Sequence, residues 1–292
     1  GFEARLNLAE SAYSEKQFER IGELLTPLTK DPKPEGLSEA IREAALYRLA
    51  RSELEQKRWE QSRVVWNQII KEYPDSSLSL EASFWLGEIA MRTDRPEEAS
   101  KILAELLTKL KDKEKPPWIS TAQIRRVQSL VTLKQWDELQ TLADQLLQQD
   151  EISKSPEMAG EIHYALGRSY QATAQFDKSR KSYQSVIDLS PSGDLAVRSQ
   201  FMRGETFFHE KNYREALREF LRVDILYVAP AWQSAALLEG GKVYEQLNQP
   251  ADAADLYRRL LERFPNEPAA AEAKGRLAAI SGSSDSVIGS GS

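Results

Sequence analysis

The feature that most constrains this chain is an internal repeat. Its three clearest copies carry a glycine, aromatic residues, a small residue and a branched apolar residue at matching offsets. These residues are Gly167, Tyr170, Phe176, Ser179, Tyr183 and Val186; Gly204, Phe207, Tyr213, Ala216, Phe220 and Val223; and Gly241, Tyr244, Ala253, Tyr257 and Leu260. With four weaker copies upstream, seven units begin at residues 2, 43, 80, 120, 160, 197 and 234. Such a repeat predicts an array in which each copy packs on its neighbours.

Each unit is predicted to be a pair of helices. Apolar residues recur three or four positions apart, as in the stripe Leu166, Tyr170 and Ala174, and not in the alternation of a strand. Pro96 and Pro250 fit the first turn of a second helix, and Asp94 is expected to cap the helix that Pro96 opens. Helix ends are marked by prolines just beyond a second helix, at Pro74, Pro191 and Pro265.

Small residues recur at the eighth position of the units. They are Gly87, Gly167, Gly204 and Gly241, with alanine in two other units. A small residue there would let the two helices of a hairpin approach closely. Three longer, polar stretches between units are predicted to be loops, namely residues 30–36, 111–117 and 149–156.

The order of these features resembles the tetratricopeptide repeat (TPR) family over residues 2–280. The resemblance implies an all-α fold, an α-α superhelix (TPR solenoid) of about seven helical hairpins plus a C-terminal capping helix, which Pro268 to Ile280 would form. The predicted domain is 1–280. The Ser/Gly-rich residues 281–292 are predicted to be a flexible tail.

Two junctions between units have a more specific resemblance. Residues 70–77, with the sequence IKEYPDSS, and residues 261–267, with the sequence LERFPNE, resemble junctions of bacterial envelope TPR proteins of the Tol–Pal coordinator and outer-membrane assembly lipoprotein type. This implies a bacterial protein that is periplasmic, or membrane-anchored in its full-length form, with a cytoplasmic location as the alternative. We expect any targeting segment to lie outside these residues.

Composition and motifs argue against several classes of function. A net charge of −6 disfavours nucleic acid as the main partner, and the absence of cysteine excludes thiol chemistry. We find no nucleotide-binding loop, nucleophile elbow or zinc-binding histidine pair, so we expect no enzyme activity, no cofactor and no metal. His163 fits a packed position and His209 a solvated one. No apolar run is long enough to span a membrane.

A partner is expected on the concave face that the first helices of such hairpins form. The residues predicted to contact it are Tyr47, Arg51, Phe84, Met91, Arg92, Tyr164, Arg168, Arg198, Phe201, Phe208 and Lys242. Aromatic residues and arginine are enriched at protein-binding hot spots. The four aromatic residues at the fifth position, Tyr47, Phe84, Tyr164 and Phe201, fit packing against the next unit equally well.

We therefore expect a scaffold that binds a helix or an extended segment of another protein. The paired Lys and Asn with which some family members grip a terminal carboxylate are absent from the fifth and ninth positions. Two alternatives stay open: a self-assembling structural scaffold, and an adaptor or regulatory segment of a larger enzyme.

Overall fold

A computed structural model describes residues 1–111 and 114–288 of the protein, with side chains as far as residue 282. These residues form sixteen α-helices and no β-strand, which confirms the predicted all-α fold of helical hairpins. No described helix combines the length and the apolarity that crossing a bilayer requires. The chain divides into two compact units, Gly1–Leu133 (the N-terminal unit) and Lys134–Ser292 (the C-terminal unit).

The N-terminal unit contains seven helices, in which first and second helices of the hairpins alternate. Their bounds are α1 Phe2–Ser14, α2 Phe18–Thr29, α3 Glu39–Glu55, α4 Trp59–Glu72, α5 Ser77–Arg92, α6 Pro96–Lys109 and α7 Ile119–Thr132. Its core includes Leu25 and Trp66, which are fully buried, and Leu103.

The C-terminal unit begins with two helices, α8 and the short α9, and then contains three hairpins and a final helix. Its helices are α8 Trp136–Leu146, α9 Asp150–Ser153, α10 Pro156–Ala172, α11 Phe176–Leu189, α12 Asp194–His209, α13 Tyr213–Leu226, α14 Pro230–Gln246, α15 Pro250–Arg263 and α16 Ala269–Ile288. Its core includes Tyr183, Phe220 and Tyr257.

The turns inside the hairpins confirm where the seven units begin. In each of the seven repeats, the fifteenth residue has backbone angles in the left-handed region, with φ between 55° and 61°. These residues are Lys16, Lys57, Asp94, Lys134, Ala174, Lys211 and Asn248. In six of them the next N–H donates to the carbonyl oxygen five residues earlier at 2.8–2.9 Å, as Arg58 does to Glu53. This is the bond pattern of a Schellman helix ending.

The cap expected at Asp94 is wrong for the same reason. Asp94 has φ of 56° and belongs to the turn that ends α5, whereas the residue before α6 is Arg95, which makes no side-chain cap. The prolines were placed correctly, since Pro96 and Pro250 open α6 and α15. Backbone geometry at the end of the first helix therefore outweighs the capping tendency of aspartate.

The small residue at the eighth position makes room for a large side chain at the twenty-fourth. A Cβ atom added to Gly167 would lie 2.5 Å from Tyr183 Cε1, and the Ser179 hydroxyl donates to the Gly167 carbonyl oxygen at 2.8 Å. The second hairpin repeats the arrangement, because Ser62 donates to the Ala50 carbonyl oxygen at 2.8 Å. The predicted close approach of the two helices is confirmed.

Two predicted segments differ in the structure. The loop expected over residues 149–156 contains the short helix α9, whose Ile152 is fully buried. The helix expected to end at Ile280 continues to Ile288, where the tail was expected, and residues 289–292 lie outside the described part of the chain. As expected of a capping helix, α16 packs on the last hairpin, with Ala273 in a cluster with Leu237 and Leu260.

Replacing Gly167 by alanine tests the hairpin crossing. The new methyl group must displace the Tyr183 ring, so we expect Gly167→Ala to lower the free energy of unfolding by about 1–3 kcal/mol. Gly275→Ala is the matched control, because a Cβ there meets nothing within 4 Å and alanine favours a helix by about 1 kcal/mol. Chemical denaturation measures both. A Gly167→Ala protein as stable as Gly275→Ala would contradict this packing.

Relief of the left-handed turn at Ala174 gives a second test. With φ of 55°, alanine is strained there, so Ala174→Gly should raise the free energy of unfolding by about 0.5–1 kcal/mol. The control Ala44→Gly lies inside α3 and should lower it by about 1 kcal/mol. The opposite signs can be read from thermal melts. A loss of stability in Ala174→Gly would rule out the strained turn.

Candidate functional site

In the N-terminal unit, the side chains of α3 and α5 form an ordered aromatic and charged network. The Arg51 guanidinium lies 5.0 Å from the centre of the Trp85 ring and donates from Nη1 to the Tyr47 hydroxyl at 3.2 Å. The Tyr47 hydroxyl donates to Glu81 Oε1 at 2.9 Å, which lies 3.7 Å from Arg51 Nη1. Arg51 and Tyr47, both predicted site residues, are therefore fixed in place by partners from two hairpins.

An open cavity of about 250 Å³ lies beside this network. It is lined by Glu10, Tyr13, Ser14, Tyr47, Arg48 and Arg51. Burial raises the pKa of the Tyr13 and Tyr47 hydroxyls, which donate their protons to Glu55 at 3.2 Å and to Glu81 at 2.9 Å. The cavity therefore offers hydroxyl oxygens as acceptors, and guanidinium groups, beside aromatic rings.

Phe84 does not belong to this exposed surface. It is only 5% exposed and stacks on Trp118, with ring centres 5.0 Å apart and planes 15° from parallel. Phe84 therefore packs in the core and does not face a partner, because the indole ring of Trp118, the residue before α7, stacks on it. Met91 is half-buried. The neighbouring Arg92 is exposed, lies 5.3 Å from the Trp59 ring centre and pairs with Glu88 at 3.7 Å.

In the C-terminal unit, the predicted aromatic residues pack partly into the core and leave one edge accessible. Tyr164 is half-buried, 5.7 Å from Tyr183 between ring centres, and Phe201 lies 5.2 Å from Phe220 and 5.3 Å from Trp232. Phe208, also half-buried, packs edge-on against Tyr213 at 5.6 Å.

Arg198 extends this aromatic surface. It pairs with Asp194 at 2.8 Å, and its guanidinium lies 5.9 Å from the centre of the Trp232 ring. A positive charge is thus held at the rim of the aromatic side chains Phe201 and Trp232.

The ninth positions of the fifth, sixth and seventh repeats, which lie on α10, α12 and α14, carry Arg168, Glu205 and Lys242. Arg168 is exposed and has no ion-pair partner among the described residues. Lys242 pairs with Glu239 at 2.8 Å and with Glu272 at 3.0 Å. Glu205 is half-buried and accepts no hydrogen bond from any described residue. Burial, with a smaller contribution from Glu239, raises its pKa to about 7.

The sequence analysis missed several side chains of these surfaces. Tyr13 lies at the twelfth position of the first unit, so the repeat register applied to that unit would have found it. Trp85 occupies the sixth position of its repeat, which contributes none of the predicted contact residues, and Trp232 precedes its repeat by two residues. Glu205 was not among the predicted contact residues, and its burial could not be predicted from the repeat.

Neither histidine forms part of a catalytic or metal-binding cluster. His163 is half-buried, and burial lowers its pKa. His209 is exposed at the end of α12 and stacks on Phe176 with ring centres 6.2 Å apart. In the part of the chain that the structure describes, no three His, Asp or Glu side chains are grouped to hold a metal ion.

Comparison with solved structures finds proteins of the same fold. A tetratricopeptide repeat protein from Parabacteroides merdae is 14% identical, with a TM-score of 0.59, and the match covers 96% of this chain and 98% of that one. The apo form of RapI is 13% identical, with a TM-score of 0.65 and coverage of 94% and 80%. YrrB, described as a TPR protein with an unusual peptide-binding site, is 14% identical, with a TM-score of 0.50 and coverage of 67% and 90%.

Family models agree with the repeat register. A search of curated proteins found no match. Three models of the tetratricopeptide repeat, however, match residues 44–76, 164–235 and 234–277. These ranges begin within a few residues of the second, fifth and seventh units. With its hairpins, their left-handed turns and their small eighth residues, this chain is a tetratricopeptide repeat protein.

Proposed function

We propose that this protein is an interaction scaffold that binds a helix or an extended segment of another protein along its first helices. Repeat proteins of this kind expose rows of side chains along stacked hairpins, and the structurally similar YrrB is described as having a peptide-binding site. The proposal for this chain depends on its own side chains, because that similarity concerns the fold alone.

The observation that carries the proposal is a pair of opposite charges at ninth positions, neither of which has an ion-pair partner among the described residues. Arg168 lacks an ion pair among the described residues, and Glu205 is a half-buried carboxylate that accepts no hydrogen bond from them. A partly buried acceptor without a donor costs free energy, which a partner can recover by supplying the donor. We infer that the bound segment brings a carboxylate to Arg168 and a cationic or hydroxyl group to Glu205.

The N-terminal unit supports the same function by a different arrangement. Its arginines are held over tryptophan rings, Arg51 over Trp85 and Arg92 over Trp59. Guanidinium groups that are already oriented lose less conformational entropy when a ligand binds. The cavity beside Arg51 would then receive a side chain of the bound segment.

A bacterial envelope location is part of the proposal and depends on the two junction sequences at residues 70–77 and 261–267. Fractionation of cells that express the full-length protein tests this location separately from binding.

Binding can be tested with segments of about 15 residues selected from a display library on the immobilised protein. Arg168→Ala and Glu205→Gln should each weaken the selected segments about tenfold, because each removes one charged contact at the centre of the surface. The matched control is Arg258→Ala, an exposed arginine on the second helix α15. Titration by fluorescence anisotropy measures the affinities.

Two outcomes would contradict the proposal. If the selected segments bind Arg168→Ala and Glu205→Gln as tightly as the parent, this surface is the wrong site. If no segment of any sequence is enriched, the scaffold function itself loses its support.

The raised pKa of Glu205 predicts a pH-dependent stability. Between its ordinary pKa of 4.5 and about 7, the unfolded chain is ionised at Glu205 while the folded chain keeps the proton. Glu205 therefore lowers the free energy of unfolding progressively as pH rises through this range, and the whole penalty is present above about pH 7.

Glu205→Gln should remove this penalty. We expect a gain on the order of 1–3 kcal/mol at about pH 8 and almost none at about pH 4.5, measured by urea denaturation. Glu262→Gln, at an exposed carboxylate of the same unit, is the control for removing a charge as such. An equal gain at both pH values would show that Glu205 is ionised in the folded protein throughout.

A further inference from the structure

Helix α13, the second helix of the hairpin that it forms with α12, carries a surface that the proposed function does not use. Its outward face presents residues at helical spacing, all of them exposed: Arg214, Arg218, Arg222, Ile225 and Leu226. Val228 follows in the extended connection to α14. Ile225, Leu226 and Val228 are 70%, 64% and 99% exposed. This outer stripe thus runs from three guanidinium groups to three aliphatic side chains.

Further arginines lie beside the stripe, where they form ion pairs with buried carboxylates. Arg259 and Arg263 of α15 both pair with Asp224, Arg263 Nη1 at 2.6 Å from Oδ1. The Asp224 carboxylate is fully buried, while more than a third of each arginine side chain is exposed. The acid is therefore hidden, and the positive groups that pair with it face solvent.

Glu219 has the same relation to its arginines. Its buried carboxylate pairs with Arg222 at 3.3 Å, Arg203 at 3.4 Å and Arg218 at 3.7 Å. Arg218 also pairs with Glu215. The stripe and its ion-pair partners hold six arginines and three acids, a surplus of three positive charges on a chain whose net charge is −6. The summed charge of these nine residues is therefore positive, although α13 by itself holds equal numbers of arginines and acids.

The chemistry of the stripe selects its partner. Exposed aliphatic side chains next to basic groups are typical of helices that lie at a membrane interface, and clusters of four to eight basic residues attract anionic headgroups. The Val228 side chain is almost completely exposed. A protein partner would need a pocket shaped to receive it, whereas the deformable acyl layer of a bilayer would not. We propose that the outer stripe docks on an anionic lipid bilayer, with the guanidinium groups at the phosphates and Ile225, Leu226 and Val228 in the acyl boundary.

Vesicle sedimentation with the complete chain tests this docking. The protein should sediment with vesicles that contain about 30% phosphatidylglycerol in phosphatidylcholine at about 0.1 M NaCl. Much less protein should sediment at about 0.5 M NaCl, or with vesicles of pure phosphatidylcholine. Arg214→Glu changes two charges and should weaken binding about 20-fold. Val228→Asp should weaken it about tenfold or more. Both side chains are exposed, Val228 almost completely, and circular dichroism checks that the variants are folded.

Matched controls keep the result specific. Val64→Asp replaces an aliphatic residue that is 65% exposed on α4, and Arg5→Glu reverses a charge on α1; neither should change binding. Equal losses in the controls, or no loss in Arg214→Glu and Val228→Asp, would overturn the proposal. A folded protein that does not bind anionic vesicles would also overturn the proposal. That result would favour an acidic protein surface as the partner of the stripe.

Discussion

The structure depends on one contact that recurs in the hairpins with glycine at the eighth position: a large side chain at the twenty-fourth position lies over that glycine. The Tyr183 ring lies so close to Gly167 that a Cβ atom on residue 167 would not fit between them. The hydroxyl of Ser179 uses the same closeness to reach the Gly167 carbonyl oxygen. Since the pair lies inside the hairpin, the remaining faces of both helices are left for neighbouring hairpins and for solvent.

The part of this structure that could be predicted from sequence is the part that the repeat enforces. Gly167, Gly204 and Gly241 mark the crossing in the three clear copies, and prolines mark where several second helices begin or end. The left-handed turns were invisible, because Lys57 or Ala174 at such a position has no compositional signature. There the Schellman bonds of the helix ending fix the backbone, whatever the side chain.

The site residues were only partly predictable, because their surroundings come from other hairpins. Whether Phe84 faces a partner or the core depends on Trp118, more than thirty residues away. The orientation of Arg51 depends on Trp85 and Glu81 in the next hairpin. A repeat register places a residue on the correct helix face, but exposure is decided by partners that the register does not specify.

Charge is distributed differently on the two layers of helices in the C-terminal unit. On the first helices, Glu205 is half-buried and accepts no hydrogen bond from the described residues, and burial raises its pKa. On the second helices, Glu219 and Asp224 are fully buried and neutralised by several arginines, whose outer ends stay in solvent. Desolvating an acid is tolerable in the second case because cations surround it.

This separation has a consequence for how the protein can bind. The residues that close the hairpins, such as Gly167 and Tyr183, lie between the two layers and contribute to neither surface. Exposed side chains such as Arg168 and Arg214 can therefore change without disturbing the crossing that holds the hairpin together. Because opposite layers carry the two surfaces, a segment bound along α10, α12 and α14 does not cover Arg214 or Val228 on the outer side. The two proposed surfaces of the C-terminal unit are therefore compatible with binding a protein segment and an anionic bilayer at the same time.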